Sequence, residues 1–261
     1  MNERQQKIQA IISENGEARL SELEQLFPDI STMTLRRDLE KLETLGEIVR
    51  TRAGAKSIAY LARLNEAQYS VRESENISEK THIAQLAHGY VPQGSSVFLD
   101  AGTTITALAR LLINDKLFVV TTAPNIALEC AKNAGITVFM TGGQLSSGNL
   151  SLSGVNALSF LDHINIDVAF MAASGFAWNS GFTCGNYDEC SMKKHVIEKA
   201  AKVIMLIDST KFSKSMPFTF AALHDVDMLI TDEKIEQSVL DELKKLKVDV
   251  KYRPPTNDDY T

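Results

Sequence analysis

Ser31-Thr-Met-Thr-Leu-Arg-Arg-Asp-Leu-Glu-Lys-Leu42 is the stretch on which the fold of this chain turns. At 3.6 residues per turn, Leu35, Leu39 and Leu42 fall on one side of a helix, while Thr34, Arg37 and Lys41 share the other, flanked by Met33 and Arg36. One face packs and the other can meet a duplex, so Thr32, Met33, Thr34, Arg36, Arg37 and Lys41 are candidate DNA contacts. Ser31 is the expected N-cap.

The flanking residues supply a scaffold for that helix. Ile8, Ile11 and Ile12 predict a first amphipathic helix beginning near Glu3. Ser21-Glu-Leu-Glu24 predicts a short second one, with Ser21 as cap and Glu24 completing a capping box. Phe27-Pro28-Asp29-Ile30 is a sharp turn, because Pro28 disfavours helical geometry at Phe27. After Gly46, Ile48-Val-Arg-Thr-Arg52 and Ala55-Lys-Ser-Ile-Ala-Tyr60 read as two strands joined at Ala53-Gly54. A hairpin carrying Arg50, Arg52 and Lys56 beside a helix-turn-helix is a wing, suited to the phosphate backbone or minor groove. A generic three-helix bundle with solvated arginines has no need of these features in this order.

At 261 residues the chain is too long for this module alone. Two domains are expected: a winged helix-turn-helix over 1–60, a polar linker over 61–76 and a larger domain over 77–261. The net charge of -6 argues against a nucleoid-type protein that coats nucleic acid indiscriminately. A local basic cluster still acts within a Debye length of about 8 Å, beyond which distant acids are screened. Cys130, Cys184 and Cys190 make no even disulfide framework. Cys184, Cys190 and His195 match no tight zinc spacing, so no metal and no cofactor are expected. No apolar run is long enough to span a bilayer and Met1-Asn-Glu-Arg4 is no secretory signal, so a cytoplasmic protein is expected.

Beyond the linker, β-type runs at Ser96–Asp100, Phe118–Thr122, Thr137–Thr141, Asp167–Ala172, Lys202–Asp208 and Met228–Asp232 alternate with helical stretches. This alternation predicts an α/β domain with a mainly parallel sheet covered on both faces. The runs end in small, hydroxyl or charged residues: Asp100-Ala-Gly-Thr-Thr104, Thr121-Thr122, Thr141-Gly-Gly143, Ser174-Gly175 and Asp208-Ser-Thr-Lys211. Ligands bind at that edge of open α/β sheets. Gly102, Thr103 and Thr104 opening a helix suit an anion, Lys211 adds a positive charge, and Asp100 and Asp208 can accept from vicinal hydroxyls. Together with Thr121, Thr122, Gly142, Gly143, Ser174 and Gly175 they describe a sugar-phosphate site, although any single such loop can be a plain βα turn. No Gly-Lys-Ser/Thr phosphate loop and no G-x-G-x-x-G after the first strand support ATP hydrolysis or dinucleotide chemistry.

The segment from Arg4 to Ala55, with Thr34-Leu-Arg-Arg-Asp-Leu39 and Arg50-Thr-Arg-Ala-Gly-Ala55, resembles the winged helix of the DeoR family of bacterial transcription regulators, in which His-Gly-Gly is commoner at the wing. Glu79-Lys80, Asp100-Ala-Gly-Thr-Thr104, Thr141-Gly-Gly143, Asp167-Val-Ala-Phe170, Gly181-Phe-Thr183 and Asp208-Ser-Thr-Lys-Phe212 resemble that family's effector domain. The resemblance implies a fold like ribose-5-phosphate isomerase and sensing of phosphorylated sugars or related metabolites. Ala172-Ala-Ser-Gly-Phe176 and Thr121-Thr122-Ala123 depart from the family's usual Gly-rich and Thr-Asn-Ser patterns.

In those isomerases a glutamate base lies in an Arg-Glu-Lys run on the helix before the Asp-x-Ser-Lys strand end. Counting back without gaps from Asp208-Ser-Thr-Lys211 reaches Met192-Lys193-Lys194. A lysine, Lys193, stands where the base should be, either as a solvated helix position or as an anchor for an anionic ligand, and Lys194 beside it is counted among the effector contacts. Lys80 is a further candidate, at the start of the helix leading into the sensor. The chain is thus expected to be a non-enzymatic transcription regulator, a repressor of carbohydrate genes modulated by a phosphorylated sugar. The competing expectation is a sugar-phosphate isomerase with a DNA-binding arm. A homo-oligomer, dimer or tetramer, is expected because one winged helix reads few base pairs.

Overall fold

Ile8 and Ile12, one turn apart, bury the same face of α1 (Glu3–Asn15). A computed structural model of the chain describes all residues except 2, 16, 46, 52–53, 58–67 and 253–261. It divides into two compact units, Met1–Glu66 and Ala67–Thr261. In the first, α2 (Leu20–Leu26) and α3 (Thr32–Thr44) pack Leu23, Leu35, Leu39 and Leu42 against Ile8 and Ile12. The buried face of α3 is the one its leucine spacing requires.

The start of α2 differs from expectation. Its flanking residue is Arg19, whose backbone N–H donates to Glu22 Oε2 at 2.8 Å, so Ser21 is already inside the helix. Glu24 instead accepts from Thr32 Oγ1 at 2.6 Å and ties α2 to α3. The cause lies just upstream: β1 (Glu17–Arg19) buries Ala18 and delivers the chain into the helix at Leu20. β2 (Ile48–Arg50) and β3 (Gly54–Ser57) form the expected hairpin, but β3 also pairs with β1, giving an antiparallel sheet in the order β1-β3-β2. That third strand explains Gly54. A Cβ there would lie 2.0 Å from the carbonyl oxygen of Ala18, so only glycine lets β1 approach.

In the second unit, β4 (Ser96–Leu99), β5 (Leu117–Thr121), β6 (Ile136–Met140), β9 (Val168–Ala172), β12 (Val203–Leu206), β14 (Met228–Ile230) and β15 (Val250–Lys251) form one parallel sheet in the order β15-β14-β12-β9-β4-β5-β6. Its strands alternate between two buried clusters. Phe98, Val120, Met171 and Met205 face one layer, and Val97, Leu99, Phe170 and Ile204 the other, as a sheet covered on both sides demands. The helices are α4 (Tyr69–Ser74), α5 (Ile77–His88), α6 (Thr103–Ala109), α7 (Pro124–Cys130), α8 (Val155–Asp162), α9 (Tyr187–Lys199) and α10 (Gln237–Lys245). Smaller antiparallel pieces, β7 (Gln144–Ser146) with β8 (Ser151–Ser153), and β10 (Gly175–Ala177), β11 (Gly181–Cys184) and β13 (Phe218–Ala221), had no counterpart in the sequence reading.

The chain runs outward from β4 through β5 to β6, then returns to lay β9 on the other side of β4. The order therefore reverses between β4 and β9, and their carboxyl ends flank the crevice this creates. One boundary is corrected. Residues 61–67 of the expected linker lie outside the described residues, but Tyr69–Ser74 is a helix of the second unit and Tyr69 is buried. A polar segment with a single buried aromatic has no hydrophobic period to announce it.

Candidate functional site

Ser31 caps α3 as expected, its Oγ accepting from the Thr34 N–H at 3.3 Å and pairing with Thr34 Oγ1 at 2.9 Å. Arg36, Arg37 and Lys41 stand exposed with no ion-pair partner among the described residues, and Met33 is exposed beside them. Thr32 and Thr34 are engaged with Glu24 and Ser31. Asp38, the acid that follows the paired arginines, was given no role by the sequence reading. It is buried and accepts from Arg4 Nε at 2.6 Å and Gln5 Nε2 at 2.8 Å, stapling α1 to α3.

The wing arginine Arg50 is not free. Its Nε lies 2.7 Å from Glu43 Oε2 and its backbone N–H donates to Glu43 Oε1 at 3.0 Å. That backbone bond, then the guanidinium, holds the Glu43 carboxyl below the usual carboxylate range. Lys56 is in β3, its side chain outside the described residues, where Arg52 also lies.

At the carboxyl edge of the sheet the candidate residues separate into two groups. One group is committed to the fold. Thr121 is fully buried, donates to the Leu99 carbonyl at 2.6 Å and accepts from the Ala123 N–H at 3.0 Å. The Thr122 side chain is buried and its carbonyl accepts from the Leu152 N–H at 2.7 Å. Gly143 and Gly175 are glycines for packing, since a Cβ would meet the Ser153 carbonyl oxygen at 2.3 Å and that of Lys214 at 2.5 Å. Gly142, at φ 68°, lies exposed beside Gly143, and the half-buried Ser174 donates its N–H to the Thr183 carbonyl at 3.0 Å.

Asp100 also differs from expectation. Its Oδ1 accepts from the Ala101 N–H at 2.8 Å, and its Oδ2 from the Ala172 N–H at 2.9 Å and from Lys193 Nζ. The carboxylate is thus occupied in bridging β4 and β9 at the switch point, both of its oxygens already accepting bonds from the fold. Lys193 is neither solvated nor free: it is buried, also meets Glu189 Oε1 at 3.2 Å, and donates to the Ala172 carbonyl at 2.9 Å. Burial alone would depress this ammonium, but the charges of Asp100 and Glu189 outweigh it and hold its pKa above the ordinary lysine range. Lys194 is exposed. The signal that finds Lys193 is the spacing Glu189, Met192, Lys193, Val196, which repeats as i, i+3, i+4, i+7 and marks the inner face of α9.

The second group surrounds polar atoms that the fold leaves uncommitted among the described residues. Asp208, buried at the end of β12, uses Oδ1 to accept from the Thr210 N–H at 3.1 Å and from its hydroxyl, while Oδ2 has no partner among the described residues. Lys211 ends the 3-10 turn Ser209–Lys211, half-buried, and its ammonium has no partner among the described residues. Asp232, also buried, holds this turn by accepting from the Ser209 N–H at 2.6 Å; the sequence reading did not single it out. Lys80 on α5, expected among the effector contacts, is instead engaged by the fold, donating to the carbonyls of Arg72 and Glu75. Burial pushes it below the ordinary lysine range, with Asp208 opposing that shift and Lys211 reinforcing it. At the end of β4, Gly102 takes φ 140° and the hydroxyls of Thr103 and Thr104 have no partner among the described residues. Cation, carboxylate and hydroxyl donors therefore share one edge.

Comparison with known proteins covers nearly the whole chain. Residues 4–60 match the model of the DeoR-like helix-turn-helix domain and residues 75–233 that of the DeoR C terminal sensor domain. The chain is 35% identical over 248 residues to the uncharacterized HTH-type transcriptional regulator YulB of Bacillus subtilis, covering 95% of each. It is 32% identical over 216 residues to the HTH-type transcriptional repressor GlcR of the same organism, covering 83% of each. Among solved structures, ribose 5-phosphate isomerase A from Methanocaldococcus jannaschii aligns with a TM-score of 0.41 at 20% identity, over 54% of this chain and 56% of that one.

Proposed function

We propose, since the chain belongs to the DeoR family of DNA-binding transcription regulators, that it is a repressor of carbohydrate genes whose α/β unit senses a phosphorylated sugar. The observation that carries this reading is that Asp208 Oδ2 and the Lys211 ammonium, both without a partner among the described residues, lie on one turn. A buried carboxylate oxygen without a donor costs about 1–3 kcal/mol, which a ligand hydroxyl offsets, while an ammonium and loop hydroxyls suit a phosphate. The exposed Arg36, Arg37 and Lys41 serve the operator. Among the described residues no helix is long and apolar enough to cross a membrane, and an operator-binding role places the protein in the bacterial cytoplasm. It acts there as a homo-oligomer, because paired half-sites supply the base pairs that one winged helix cannot read.

Isomerisation needs a carboxylate base, and Lys193 at that position is an ammonium locked between two acids. We therefore expect no turnover of pentose or hexose phosphates. The test is a thermal-shift screen of the full chain with ribose 5-phosphate, glucose 6-phosphate and fructose 6-phosphate. A ligand at about a hundred times its Kd adds roughly 2.7 kcal/mol of stability if it binds only the folded state. The shift disappears in Asp208→Ala; a shift that persists there puts the site elsewhere.

A further inference from the structure

We infer that Tyr69 is the residue through which the loop Asp100–Thr104 acts on the chain leading to the DNA-binding unit. The inference rests on the proposed ligand role of that loop. Two routes run from it, one through hydrogen bonds and one through buried charged pairs and a peptide link, and both end on Tyr69.

The first route starts at a carbonyl. Thr106 Oγ1 donates to the Gly102 carbonyl at 2.9 Å, leaving its lone pairs to accept from the Tyr69 hydroxyl, also at 2.9 Å. Asn125 Nδ2 donates to the same Tyr69 oxygen at 2.9 Å, which fixes the phenol as donor toward Thr106. Tyr69 is thus one hydroxyl away from the glycine that opens α6. An ion pair between Glu73 and Arg110, 2.8 Å long, holds α4 against the far end of that helix.

The second route starts at a carboxylate. Asp100 is bonded to Lys193, Lys193 to Glu189, and Glu189 accepts from Asn149 Nδ2, all of them buried. The preceding residue, Gly148, offers its carbonyl to the Tyr69 backbone N–H at 2.7 Å. The side chain and main chain of Tyr69 therefore report on Gly102 and Asp100 independently. No other residue of α4 makes both connections among the described residues, and Tyr69 is the helix's first residue, directly after the stretch that joins the two units. A ligand that shifts the loop by a fraction of an ångström alters bonds to both the side chain and the main chain of one residue, and packed elements respond by switching rather than by bending.

Hydrogen exchange on the full chain tests this, with ribose 5-phosphate, glucose 6-phosphate and fructose 6-phosphate each added at saturation. In the wild type, a sugar phosphate that changes protection over 100–104 also changes it over 68–76. Tyr69→Phe cuts the first route and Asn149→Ala the second. In the double variant the response over 68–76, relative to that over 100–104, falls by roughly fivefold or more, the lower end of ordinary coupling factors. Each single variant gives an intermediate fall, which keeps the test alive if the double variant does not fold. A response over 68–76 that is undiminished in both single variants overturns the inference while leaving the ligand site standing. If none of the three sugars alters 100–104 in the wild type, the ligand role of the loop fails and the inference falls with it.

Discussion

Lys193 Nζ on α9 donates to Asp100 at the end of β4, 93 positions away in sequence, and closes the sheet at the point where its strand order reverses. One ammonium there serves two carboxylates, Asp100 and Glu189, in a site from which water is excluded. Removing one partner of such a cluster is costly because the remaining charges stay buried.

Lys193→Met is accordingly expected to destabilise the second unit by about 3–5 kcal/mol in urea unfolding at neutral pH. The folded-state pKa of Lys193 is raised, so its contribution is fully present below the unfolded value of about 10.4 and is lost as pH rises through the folded one. The stability gap between wild type and variant should stay flat from neutral pH to about 10 and narrow only above it. A gap that already narrows between neutral pH and about 10 contradicts the pairing.

Arg37→Ala is expected to weaken operator binding by roughly 1–3 kcal/mol and to relax preference at one base position, with Arg36→Ala as the alternative if Arg36 is the residue that forks onto guanine. Lys41→Ala should weaken all sequences alike. Competition binding against single-base operator variants separates the two classes. If neither arginine affects preference, α3 is not the reading helix.

Glu43→Gln should act in the opposite direction. Arg50 is now neutralised by Glu43 across an exposed contact of 2.7 Å, a kind of pair that contributes under about 1 kcal/mol to stability. Releasing Arg50 adds one cation for a phosphate, so the slope of log affinity against log salt steepens by about 0.9 while the fold is unaffected. An unchanged slope means that Arg50 does not reach DNA.

Asp208→Ala and Lys211→Ala are each expected to keep operator affinity and to lose its dependence on the sugar phosphate, because the groups they remove belong to the α/β unit. Lys80→Ala keeps sugar binding and loses the response. Titrating the sugar into operator complexes measures both, and undiminished release from the Asp208 and Lys211 variants rules out that pocket.

The leucine spacing of α3, the cap at Ser31 and the six apolar strands were readable because each repeats a physical period over several residues. β1 was not, since Glu17-Ala-Arg19 carries one buried methyl and no pattern, and its existence depends on Gly54 far along the chain. α4 escaped for a similar reason, one buried Tyr69 among charged neighbours. Among the candidate site residues, residue type alone points to Asp208 and Lys211, whereas telling the buried Lys193 from the exposed Lys194 needs helix phase. The occupation of Asp100 by partners on β9 and α9 depends on long-range topology, which local composition does not encode.

Because β3 is shared between β1 and β2, the hairpin is the middle and edge of a sheet that also holds the entry to α2. Recognition helix and wing strands are therefore set at a fixed mutual angle before any duplex arrives. Less conformational entropy has to be surrendered on association, so the unit should bind with rigid-body kinetics, and substituting Gly54 should slow encounter with DNA by loosening that angle even though Gly54 itself need touch no nucleotide.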